Sequence, residues 1–204
     1  MSSNAANQET EGLLSPLIRS VRFKKTAALI EPNSMVLDLA CGGGFLRKYL
    51  PPGCSYFGVD RIPPSDLKNF DGFLLRELMV PNLWEELQSW LPQPADVITM
   101  LAFVEHIKAP EKMLANLKKV LKEDGQVILT TPHPIGRKIH DCLARIRLCS
   151  SSAAAEHESF LGRRELENIA QRAGFEVSGY HRFLAGLNQV FAISPRPVSF
   201  PQHV

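Results

Sequence analysis

The run Met35-Val36-Leu37-Asp38-Leu39 passes through Ala40 and Cys41 straight into Gly42-Gly43-Gly44. A short, almost wholly apolar run is the pattern of a strand covered on both faces, and such strands belong to parallel sheets flanked by helices. Glycines directly behind it let the backbone turn sharply and approach a ligand in conformations that a side chain forbids. This pairing predicts an open α/β sheet, with any ligand in the crevice at the carboxyl ends of the strands.

The rest of the chain repeats the theme. Apolar runs recur at Tyr56 to Val59, Phe73 to Leu75, Val97 to Leu101, Val127 to Thr130, Phe175 to Tyr180 and Val190 to Ile193. Helical stripes lie between most of them. From Ser15 to Ile30, Leu17, Ile18, Val21, Ala28 and Leu29 sit at helical spacing among Arg19, Arg22, Lys24 and Lys25. Asn82 with Glu85 reads as a capping box ahead of Leu83, Trp84, Leu87 and Leu91. Pro110 opens a helix to Lys122 whose face is Met113, Leu114, Leu117, Val120 and Leu121, with Gly125 beyond its end. Leu166, Ile169, Ala170 and Ala173 precede Gly174 in the same manner. The stretch from Asp60 to Phe73, with Pro63 and Pro64, leaves room only for a short helix around Asp66 to Phe70.

Strands alternating with helices predict an α/β fold: a Rossmann-like, doubly wound, seven-stranded sheet, mostly parallel, with helices on both faces. The last two runs are too close in sequence for a parallel crossover, so the last strand should be antiparallel. A length of 204 residues suits one domain. It is expected over residues 13–194, with a flexible polar N-terminus at 1–12 and a flexible Pro-rich tail at 195–204, the tail character beginning at Ser194.

Composition excludes several classes. A net charge of +2, with no basic stripe interleaved with aromatics, argues against nucleic-acid binding. Cys41, Cys54, Cys142 and Cys149 form no zinc-ligand spacing, so no metal is expected. No apolar run approaches the roughly 20 residues of a membrane span, and the polar start lacks a signal-peptide core. A cytoplasmic location is the expectation.

A dinucleotide fingerprint begun at Gly42 needs glycine at position 47, where Arg47 stands, and no G-x-x-x-x-G-K-[ST] loop exists. Asp60 closes the second apolar run, 22 residues after Asp38, where an acid can accept hydrogen bonds from both hydroxyls of a ribose; a solvated turn aspartate is the alternative. VLDLACGGG resembles the D-x-G-x-G-x-G motif of class I S-adenosylmethionine-dependent methyltransferases, small-molecule or lipid type, with Ala40 in place of the first glycine. The similarity continues through YFGVD, RELM, DVITMLAFVEHI, LKKVLKEDGQVILTTPHP and LENIAQRAGFEV. This resemblance implies S-adenosylmethionine as cofactor and S-adenosylhomocysteine as product. It further implies that Asp38 and Gly42 hold the methionine part within the turn completed by Ala40 and Gly44. Asp60 would hold the ribose, Glu77 with Leu78 the adenine edge, and Arg61 and Leu101 would flank the purine and the cofactor.

Methyl transfer from a sulfonium needs alignment and dryness more than a dedicated acid or base, but a hydroxyl acceptor benefits from a base. His106 and His133, both after strand ends, are the catalytic candidates; each is equally readable as a histidine that satisfies or shapes its loop. His157 reads as a helix-start residue. Residues 135–149, with Ile135, Ile139, Cys142, Leu143, Ile146 and Cys149 on one face and Arg137, Lys138, Arg145 and Arg147 elsewhere, read as a basic amphipathic segment within a substrate-lid insertion at 135–160. Such a segment could cover a hydrophobic acceptor or make a peripheral membrane contact, and ordinary packing on the domain stays open beside both. The function expected is methyl transfer to a small-molecule or lipid-linked acceptor, O-methylation being favoured. A noncatalytic cofactor-binding or partner-binding protein on the same fold is the alternative.

Overall fold

Apolar runs and helical stripes resolve into three layers. The structure, a computed structural model, describes residues 15–134 and 161–197. Its seven strands are β1 Met35–Leu39, β2 Ser55–Asp60, β3 Gly72–Leu75, β4 Ala95–Leu101, β5 Leu121–Pro132, β6 Phe175–Phe183 and β7 Asn188–Pro195, ordered β3-β2-β1-β4-β5-β7-β6 across the sheet. Strands β1 to β5 pair in parallel, and β7 lies antiparallel between β5 and β6. The antiparallel last strand is thus as expected: Phe183 and Asn188 are partners across a turn too short for any crossover.

Alternation along the buried strands feeds two cores. On one face Val36, Tyr56, Val97 and Ile128 pack with Ile30 and Leu46, beneath helix α1 Ser15–Ala27 and a 3-10 turn Phe45–Tyr49. On the other, Leu37, Leu39, Ile98 and Met100 meet α2 Leu83–Trp90, α3 Pro110–Leu117 and α4 Arg163–Arg172. Among the described residues no helix is long and apolar enough to cross a membrane.

Several local expectations need correction. The helix expected to reach Lys122 stops at Leu117, and β5 has begun by Leu121, so that Gly125 lies inside a strand. Val120 and Leu121 are buried either way, and burial alone cannot separate a last helical turn from the start of a covered strand. Asn82 makes no capping hydrogen bond; Glu85 instead pairs with Lys119 at 2.9 Å. Leu17 and Leu29 stay exposed, and α1 turns Thr26, Ala27 and the following Ile30 inward instead. Ser194 and Pro195, read as tail, pair with Glu176 and Phe175. The short helix near Asp66 is a 3-10 turn, Leu67–Asn69, capped by the Asp66 carboxylate on the Lys68 amide at 2.9 Å. Residues 1–12, the segment 135–149, His157 and the tail beyond 197 lie outside the described residues.

Candidate functional site

Strand order reverses between β1 and β4, which pair side by side while β2 and β3 run to one side and β5 to the other. The crevice above such a switch point is where open α/β sheets take ligands. Here Ala40, Gly42 and Gly44 alternate in the left-handed region, with φ of 60°, 53° and 69°. Ala40 therefore adopts the glycine-like conformation at the position where the family motif has glycine. One amide of the turn reaches a carboxylate: Gly42 donates to Asp60 Oδ2 at 2.8 Å, the Ile62 amide donates to Oδ1 at 3.0 Å, and the Ala40 and Cys41 amides go to the Val59 carbonyl. An ionised carboxylate has about four acceptor positions, so capacity for a ligand diol remains.

A cavity of about 580 Å³ opens there, lined by Ala40 after β1, Asp60, Arg61 and Ile62 at the end of β2, Glu77, Leu78 and Met79 after β3, and Phe103, His106 and Ile107 after β4. Its size and its mix of apolar walls with a few polar groups suit a small organic ligand. Glu77 reaches it because β3 holds register: Leu75 pairs with Asp60, the Arg76 amide donates to the Asp60 carbonyl at 2.8 Å, and the Arg76 guanidinium pairs with Glu86 of α2 at 2.9 Å. Ala40, Asp60, Arg61, Glu77, Leu78 and His106 are thus brought together around one cavity.

Other expected site residues stand apart. Asp38 is buried beneath the turn, where it accepts hydrogen bonds from the Tyr56 hydroxyl and, at 2.6 Å, from the Thr99 hydroxyl. Burial pushes its carboxyl up to about 6; the Thr99 and Tyr56 hydroxyls restrain the rise, and the Asp60 charge adds to it. Gly42 and Gly44 contribute backbone shape. A Cβ on Gly42 would meet nothing within 4 Å, whereas one on Gly44 would lie 2.3 Å from the Phe70 ring. Leu101 packs half-buried against the first core. His133 follows β5, its amide donating to the Leu187 carbonyl at 2.8 Å, and it does not line the cavity. Burial, followed by the Arg182 charge, pushes its imidazole down, favouring the neutral form.

The sequence reading passed over Glu105. Its side chain is 1% exposed, and neither carboxylate oxygen is in hydrogen-bonding geometry with a partner. Burial raises its carboxyl, while its own backbone, His106, Arg22 of α1 and Thr131 of β5 favour the ionised form. The one available signal was an acid immediately before His106 in an otherwise apolar stretch, and acids are exposed unless something holds them inside. Ile62, Met79, Phe103 and Ile107 were also missed as lining residues. Apolar positions that face a cavity look like core in one dimension.

Known proteins resemble this chain in sequence and in fold. A family described as a methyltransferase domain matches residues 14–178. The ubiquinone biosynthesis O-methyltransferase of Glaesserella parasuis is 27% identical over 127 residues, covering 58% of this chain and 53% of that protein. The Pseudomonas aeruginosa enzyme of the same name is 29% identical over 104 residues, covering 47% of this chain and 43% of that protein. The chain spans about half the length of the curated relatives it matches. Among solved structures, a methyltransferase complexed with the Haloferax volcanii Trm112 methyltransferase activator superposes with a TM-score of 0.66 at 14% identity, over 88% of this chain and 92% of that one. The calicheamicin-biosynthesis methyltransferase CalO1, in its S-adenosylhomocysteine-bound form, gives 0.58 at 16% identity, over 89% of this chain and 54% of that one. At these identities the structural likenesses establish the fold.

Proposed function

The chain belongs to the methyltransferase domain family, and we propose that it transfers the methyl group of S-adenosylmethionine to a small-molecule or lipid-linked acceptor, at oxygen. The observation that carries this reading is the convergence of four successive strand ends on one cavity, with Asp60 seated on the glycine-turn amide and Glu77 after β3 lining the same space. The fit to the cofactor is chemical. Asp60 keeps acceptor capacity for a ribose diol, Glu77 with Leu78 offers an acid and an apolar surface to a purine edge, and the open space over Gly42 admits a ligand close to the backbone. Arg61 and the apolar side chains Ile62, Met79 and Phe103 complete the wall.

When bound, S-adenosylmethionine supplies a methyl group activated by its sulfonium. The protein's task is then to align the acceptor and keep water out. For a hydroxyl acceptor the O–H proton must leave as the O–CH3 bond forms and the C–S bond breaks, and His106, which lines the cavity, is the proposed proton acceptor. His133, whose imidazole burial pushes toward the neutral form, is a second candidate after β5, although it lies off this cavity. The O-methyltransferase names of the curated relatives support oxygen as the target and a quinone-precursor type of acceptor.

Calorimetric titration with S-adenosylmethionine and S-adenosylhomocysteine tests the cofactor reading, and Asp60→Ala is expected to weaken both by about 1–3 kcal/mol, the range for hydrogen bonds to a charged group. Absence of binding to the wild-type protein overturns the reading. An assay for S-adenosylhomocysteine release across phenolic, small hydroxyl and lipid-linked acceptors then tests transfer. Tight binding with no release on any acceptor would instead identify a noncatalytic binding protein.

A further inference from the structure

We propose that the three-residue segment Asn69-Phe70-Asp71 in the β2–β3 connection is a brace that sets the shape of the glycine turn, making these side chains positioning residues for the cofactor site. The proposal rests on the cofactor reading above only for what the turn binds.

Each residue of the segment grips a different part of the turn. The Asn69 side-chain amide donates to the Gly43 carbonyl at 3.1 Å. The Phe70 ring fills the space left by two missing side chains: a Cβ on Gly44 would stand 2.3 Å from its Cζ, and one on Gly58 would stand 2.3 Å from its Cε1. The Asp71 carboxylate accepts from the Arg47 guanidinium at 2.7 Å and from the Tyr56 amide at 2.7 Å. Arg47 also donates to the Cys54 carbonyl at 3.0 Å, so the middle of the 3-10 turn is tied at two points. Phe70 further stacks on Tyr56, with ring centroids 5.2 Å apart and planes 16° from parallel, and Tyr56 carries the hydrogen bond to Asp38.

This chain needs such a device. A glycine turn that runs into a full α-helix is held by that helix. Here it runs into a five-residue 3-10 turn, followed by Pro51 and Pro52. 3-10 hydrogen bonds are poorer than α-helical ones, and the left-handed conformations at Ala40, Gly42 and Gly44 must be held by their surroundings. The lean β2–β3 connection supplies that restraint from across β2. None of its three residues lines the cavity, so their effect on a ligand passes through the Gly42–Arg47 backbone.

Amide exchange and calorimetry on Asn69→Ala and Phe70→Leu test the brace, with Asn69→Ala as the variant that removes one half-buried hydrogen bond and leaves the cores intact. Without ligand, exchange at Gly42, Gly44 and Arg47 should accelerate about tenfold while the amides of β1, β4 and β5 keep their wild-type rates. S-adenosylhomocysteine affinity should fall about tenfold, the equivalent of roughly one lost hydrogen bond. Unchanged exchange in the turn, acceleration spread evenly over the sheet, or affinity within twofold of wild type would each overturn the proposal. If the wild-type protein fails to bind S-adenosylhomocysteine, the cofactor reading falls separately, and the exchange pattern of the unliganded variants still decides the brace.

Discussion

Replacing Asp38 by Asn is expected to raise the unfolding free energy near pH 7.5 by up to about 3 kcal/mol and, in the same protein, to weaken cofactor binding at least tenfold. The first effect follows from linkage. Burial holds the folded carboxyl at about 6 against an ordinary value of 3.8, so the folded state binds this proton more tightly than the unfolded chain does. The group therefore favours the folded state most below its unfolded value and loses that advantage as pH rises through 6. At about 1.4 kcal/mol per pKa unit, the loss is about 3 kcal/mol once the carboxyl is ionised. Asparagine imitates the protonated acid. It can accept from the Thr99 hydroxyl and donate to the Tyr56 oxygen, the two partners Asp38 has now. The gap between variant and wild type should open between pH 4 and 7, which denaturant titrations at several pH values would read. A gap that is constant in pH would refute the assignment.

The binding half of the prediction concerns why a costly charge is there at all. Sites that trade stability for activity keep groups that a stability optimum would discard. Asp38 does not line the cavity, yet it places a carboxylate beneath the glycine turn; if the methionine part of the proposed cofactor lies over that turn, the charge favours its ammonium. Calorimetry on Asp38→Asn at pH 7.5 measures that contribution directly, and an unchanged affinity would assign Asp38 to the fold alone.

Gly44→Ala should destabilise the protein by about 2–5 kcal/mol, the sum of a left-handed backbone penalty and of overpacking. Its φ is 69°, and the added Cβ would lie 2.3–2.9 Å from three atoms of the Phe70 ring. The ring cannot simply swing away, because it is stacked on Tyr56 and also fills the space over Gly58. Gly42→Ala is the control. Its φ is 53° but its Cβ would project into open space, so only the backbone term of about 1–2 kcal/mol applies. Adding Phe70→Leu to Gly44→Ala should recover the steric part and leave the conformational part. Equal costs at positions 42 and 44 would contradict the packing described for Phe70.

The glycine turn also shows where one-dimensional reading has its reach. Met35 to Leu39, the turn and Asp60 were legible because burial on both faces, tight turning and acid placement each impose a residue type at a fixed position along the chain. The same local logic delivered the seven strands and the antiparallel last one. It failed where a neighbour in space decides. Asn82 could cap but makes no capping hydrogen bond, and Glu85, the other half of the expected box, pairs with Lys119 beyond the end of α3. Leu121 could be helix or strand, and pairing with Ala95 of β4 made it strand.

The candidate site divides in the same way. That Asp60, Glu77 and the glycines belong together was implied by the order of motifs along the chain. That Asp60 is clasped by the Gly42 amide and that Asp38 is sealed beneath Tyr56 and Thr99 depended on contacts between residues 18 or more apart in sequence, and that His133 stands off the cavity is equally a property of the fold. Glu105 is the sharpest case: its sequence neighbourhood marks it only as an acid beside a histidine, whereas its burial comes from the fold. Sequence alone determined the α/β sheet and the glycine turn at the strand ends, because periodicity and backbone permissiveness are local properties. Tertiary structure alone decided which polar groups face that crevice, which are locked behind it, and that the β2–β3 connection braces it, because desolvation and steric fit exist only between parts of the chain that folding brings together.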